Sequence, residues 1–161
     1  MNPNPMTHTS SFQIIDAEAD AILAAITLVT DDEEAMTEVV DAVVSIRRQS
    51  GLPADAKEAR NYIYGTCGSF DAVIAAALKV RESYDDPDVP EGHLIIDLPA
   101  SVFGLATVLF VITAVRLQGE PHAEHLRTFL AKIGVEAHKG MQKAKEAGLS
   151  SADTDPNRML N

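Results

Sequence analysis

The chain has no tryptophan and a single cysteine, Cys67. A lone cysteine excludes an intramolecular disulfide, and with no Cys-x-x-Cys pair the common zinc and dithiol frameworks are absent. Basic side chains are scarce: 13 Lys and Arg stand against 24 Asp and Glu, a formal charge of −11. A surface of that sign is repelled by phosphate backbones and anionic headgroups, so direct nucleic-acid or membrane-surface binding is not expected. The usual catalytic signatures are missing too. There is no glycine-rich phosphate loop ending in Lys-Ser/Thr, no Gly-x-Ser-x-Gly elbow, no His-Glu-x-x-His and no calcium loop. The opening MNPNPMTHTSS has neither a basic start nor an apolar stretch, so no export signal is read there. Together with the single thiol this sets a cytoplasmic expectation.

What is present is a foldable core. Apolar residues make up 46% of 161 positions, enough for one domain. Helical periodicity recurs along the chain. Ile15, Ala19, Ile22, Ile26 and Val29 place one buried stripe on a helix running from Ser11. Thr30 and Glu33 have the spacing of a capping box for the next helix, whose stripe is Met36, Val39, Val40, Val43 and Val44. Asp31, Asp32, Glu33 and Glu34 complement its N-terminal dipole, Arg47 and Arg48 its C-terminus, and Gly51 ends it. A short helix is expected over 54–64 and a new one from Ser69, with Phe70, Val73, Ile74, Ala77 and Leu78 inward. The final helix starts near Pro121 and stops at Gly148, with Leu126, Phe129, Leu130, Ile133, Ala137, Met141 and Ala144 on its stripe.

Residues 98–115 carry no charge at all. That length touches the lower limit of a membrane-spanning helix, but the flanking acids and the missing aromatic belt favour a buried helix at the centre of a bundle. The expected fold is therefore all-α: a single compact bundle of five or six helices with a mostly apolar central helix near 99–117. Residues 1–10 read as a flexible arm, 11–148 as the helical domain and 149–161 as a polar tail.

Charge is distributed unevenly. Residues 1–97 hold 18 acidic and 6 basic side chains, residues 98–161 hold 6 and 7. The two parts are complementary and can attract each other within one chain or between two.

Three sets of residues could carry chemistry. Cys67, between Gly65 and Gly68, could be a thiolate at a helix N-terminus or a small buried residue. The run CGSFDAV resembles the stretch around the catalytic cysteine of papain-like proteases. The nucleophile of that pattern falls on Phe70, so the resemblance implies no activity. His122 and His125 lie one helical turn apart, a spacing that suits two ligands of one metal ion. Arg116 and His122, in RLQGEPH, resemble the Arg-x(4–6)-His pattern of HEPN-type nucleases, small all-α proteins that typically pair two chains to cut RNA. That resemblance implies His122 as the proton-transfer group and Arg116 as the stabiliser of developing phosphorane charge.

The leading expectation is a small acidic, non-enzymatic helical module that binds a protein, including a second copy of itself, with no cofactor. The alternatives are the HEPN-like ribonuclease and an acidic DNA mimic that occupies a nucleic-acid-binding protein.

Overall fold

A computed structural model describes residues 8–153, with side chains through 147. Residues 1–7 of the expected arm and 154–161 of the expected tail lie outside it. The described chain is mostly helical, with five α-helices and one two-stranded sheet: β1 (Thr9–Ile15), α1 (Asp16–Asp31), α2 (Glu33–Gln49), α3 (Ala56–Ser83), β2 (His93–Pro99), α4 (Phe103–Arg116) and α5 (Pro121–Asp153). One 3₁₀ turn, Ala100–Val102, joins β2 to α4.

The sheet corrects the all-α expectation. β1 and β2 pair antiparallel, from Thr9 opposite Pro99 to Ile15 opposite His93. Both strands alternate. Phe12, Ile14, Leu94, Ile96 and Leu98 are buried, while Ser11, Gln13, Ile95 and Asp97 face outward. This period of two makes a half-buried strand. Thr9 and Ser10 therefore belong to a strand rather than an arm, and α1 begins at Asp16 rather than Ser11. There the Ile15 N–H donates to Glu18 Oε1 at 3.1 Å.

α2 starts on a different cap from the one expected. Asp32, not Thr30, accepts the Glu34 and Ala35 N–H groups. The Thr30 hydroxyl turns back to the Ile26 carbonyl inside α1. The C-terminus closes as expected on Gly51, whose φ of 75° is left-handed. The Gly51 N–H reaches the Arg48 carbonyl and the Leu52 N–H the Arg47 carbonyl, the paired bonds of a Schellman motif.

α3 is one helix where two were expected. Gly65 and Gly68 do not interrupt it, and Ser69 is no cap: its hydroxyl donates to the Gly65 carbonyl. α5 continues past Gly148 to Asp153.

α4 packs against every other helix but is not buried all round. Phe103, Ala106, Leu109, Phe110, Thr113 and Ala114 are buried on one side, but Val111 is 46% and Val115 62% exposed on the other. Both α4 and α1 touch all four other helices, α1 through small residues such as Ala21 and Ala25. At 14 residues α4 spans about 21 Å, short of a ~30 Å hydrocarbon layer. Among the described helices only α3 is long and apolar enough to cross one, and a third of that window is buried in the body.

All five phenylalanines of the chain meet in one edge-to-face cluster. Phe129 of α5 contacts Phe12, Phe70 and Phe110 at centroid distances of 5.8, 6.0 and 5.8 Å, and Phe103 joins through Phe12. One ring thus ties β1, α3, α4 and α5 together, in the geometry that aromatic quadrupoles favour.

Candidate functional site

Cys67 lies in the middle of α3, 3% exposed, with its helix N-terminus three turns away. Burial, and then the charge of Asp71 one turn on, push its thiol up to about 11. Cys67 thus packs as a core residue whose surroundings disfavour the thiolate.

Arg116 ends α4 and turns to α2, with Nη2 2.7 Å and Nε 2.8 Å from Glu38 Oε2. His122 and His125, both half-buried, open α5 on the side of α1, where His122 borders a shallow depression with Asp20, Leu23 and Thr27. Among the described residues no hydrogen bond joins Arg116 to His122, and no three His, Cys, Asp or Glu side chains gather as a metal site.

The uneven charge is partly consumed inside the chain. Arg116–Glu38 is one link between the C-terminal and N-terminal parts. Lys132–Glu18 is the other, and sequence reasoning missed it. Glu18 is 1% exposed, yet both its oxygens accept from Lys132 Nζ, at 2.6 and 2.9 Å, and Nζ also donates to the Gln13 carbonyl at 2.9 Å. The signal was available: Glu18 lies one turn before Ile22, on the apolar side of α1. Glu18 is buried and the Lys132 side chain 34% exposed, and the pair, using both carboxylate oxygens, fixes geometry at the β1–α1–α5 junction. On the opposite side, Arg60 of α3 pairs with Glu33 of α2, and that hydrogen bond holds the guanidinium above its ordinary value.

Two larger concave surfaces among the described residues both use α3. The first, about 690 Å³, lies among α2, the N-terminal half of α3 and the start of α4. Ile46, Tyr62, Leu105 and Val108 form apolar walls, while Gly65, Thr66, Ser69, Ser101 and Gly104 supply small residues. Ile46 is 49% and Tyr62 52% exposed. Arg47 is the one charged residue in the lining, and its Nε already donates to the Pro53 carbonyl. Gly65 and Gly68 sit mid-helix with open space where a Cβ would go. Each weakens the helix by about 1 kcal/mol relative to alanine, and no neighbour within the chain requires it.

The second surface, about 1050 Å³, runs between the C-terminal half of α3 and β2. Val73, Ala77, Val80 and Tyr84 form its helical wall; His93, Leu94, Ile95 and Asp97 form the strand side. Arg81 crosses one end, with Nη1 2.5 Å from Asp16 Oδ1 and 3.3 Å from the His93 carbonyl.

No family model matches the chain, and no curated protein or solved structure matches it.

Proposed function

We propose that this protein is a non-enzymatic helical-bundle interaction module that associates with a second copy of itself over the α2–α3–α4 groove. The observation that carries the reading is the composition of that groove. On a chain of formal charge −11 its lining contains no carboxylate. Two copies can approach there without the repulsion they meet elsewhere. The exposed valines of α4 extend the same apolar surface, which accounts for the half of the uncharged run that the core does not use. Gly65 in the lining lets a partner backbone come close, which gives a reason for a glycine in a helix interior.

Sedimentation equilibrium across a wide concentration range tests the reading. A monomer–dimer equilibrium is expected, weakened by Ile46→Glu. A monomer at every concentration, or a dimer indifferent to Ile46→Glu, would overturn it.

A further inference from the structure

The outer edges of the sheet are only partly paired. The bonds that flank the strand pair, from the Asp16 N–H to the Gly92 carbonyl and from the Ala100 N–H to the His8 carbonyl, fix the hydrogen-bonding parity. In an antiparallel pair such positions alternate, so Leu94, Ile96 and Leu98 bond inward to β1. The N–H and C=O groups of the odd-numbered residues then point outward. On β1 the end next to α1 is covered: the Gln13 carbonyl accepts from Lys132 Nζ and the Ile15 N–H donates to Glu18. On β2 the His93 carbonyl is taken by Arg81, and Pro99 has no N–H to offer. Between these two stops the backbone groups of Ile95 and Asp97 have no protein partner among the described residues. They open into the groove along α3, whose lining includes His93, Leu94, Ile95 and Asp97.

We propose that this groove binds an extended, basic peptide segment of a partner protein as a third strand on β2. The backbone of the segment pairs with Ile95 and Asp97. Its alternate side chains meet the apolar wall of Val73, Val80 and Tyr84, which are half-buried, 61% and 64% exposed respectively. The sign of the charge selects the occupant. Asp16, Asp85, Asp86, Glu91 and Asp97 line the groove, against Arg81 and His93. A second copy brought edge to edge would set one such row of carboxylates against another, so β2–β2 pairing is disfavoured and a Lys- or Arg-bearing segment is favoured. The proposal goes beyond self-association and uses no residue of the α2–α3–α4 groove, so either can fail without the other.

The probe is the capped heptapeptide Lys-Val-Lys-Val-Lys-Val-Lys, fluorescently labelled and titrated with the full chain. Saturable binding is expected, weakened at least about tenfold by N-methylation of alternate amides on its pairing edge. Glu91→Lys combined with Asp86→Lys should weaken it by a similar factor, and a Glu-Val peptide should not bind. Ile95→Pro, which removes one outward N–H, should abolish binding; where that variant does not fold, the N-methylated peptide makes the same test on the unaltered protein. No binding by the Lys-Val peptide overturns the proposal. Equal binding of the methylated peptide also overturns it, since charge alone then suffices. Cross-links between Ile95-region residues of two copies would assign the edge to self-pairing and overturn it as well.

Discussion

The two grooves on α3 are opposite in charge. The one facing α2 and α4 has no carboxylate in its lining; the one facing β2 has five. The same helix supplies Gly65 and Ser69 to the first and Val80 and Arg81 to the second. A net charge of −11 is therefore no description of the whole surface. Carboxylate repulsion between two copies would be strong at β2 and weak in the α2–α3–α4 groove, and so would the attraction of a cation.

The harshest way to break the contrast is to remove the base on which both grooves rest. Phe129→Ala takes out the ring shared by β1, α3, α4 and α5, and should destabilise the fold by ~3–5 kcal/mol. Urea unfolding followed by circular dichroism measures it, and both binding activities should fall together. A cleaner dissection crosses the two sites. Ile46→Glu should weaken self-association by about 30-fold or more, by burying a charge at the interface, and leave Lys-Val peptide binding unchanged. Glu91→Lys with Asp86→Lys should do the reverse, about tenfold on the peptide, and raising salt to about 0.5 M should weaken peptide binding far more than self-association.

A smaller effect has opposite signs in two assays. Gly65→Ala meets no neighbour, so it should stabilise the monomer by about 1 kcal/mol and raise Tm by ~2–4 °C. In the same protein the dimer should be weaker, because the added methyl keeps the partner backbone away. A gain in both would remove the close-approach role of Gly65.

The smallest effect concerns the helix that the grooves share. The Cys67 thiol is held at about 11, against an ordinary 9.0. Between those values the unfolded chain releases a proton that the folded chain keeps. Folded stability therefore falls as pH rises through that window, and below it Cys67 contributes no slope. Urea unfolding at several pH values, compared between the natural chain and Cys67→Ala, isolates this term. Alkylation by iodoacetamide at pH 8 should be slow in the folded protein and fast in urea.

α2 was legible because its signals are local: acids in the first turn, arginines in the last, a glycine at the end. Even there the cap moved two residues, since Thr30 has a competing acceptor inside α1 and Asp32 does not. β1 was hidden because its alternation, Phe12 and Ile14, runs without a break into the helical stripe that starts at Ile15. β2 was hidden because its partner is distant in sequence. α3 was divided at Gly65 and Gly68, glycines that the helix runs through and that have open space where a Cβ would stand. The uncharged run pointed to the core, and half of α4 does lie there. Hydropathy alone cannot tell a face covered by α5 from one left for another molecule. Of the candidate chemistry, Arg116 and His122 were visible as residue types, but the ion pair that engages Arg116 is set by Glu38 on a distant helix. The open edge of β2 could not be read at all without knowing that β2 exists.

The pairing of Ser11 with Asp97 spans 86 residues, with three helices laid down between. During synthesis at about 5–20 residues per second, β1 leaves the ribosome and then waits some 4–17 s for its partner strand. Its alternating apolar side chains are uncovered throughout that interval. Closing so long a loop is also the step that local helix formation does least to hasten. The first strand the nascent chain makes is thus the one it holds longest without a partner, and the surface through which chaperones, or other copies of the chain, meet it earliest.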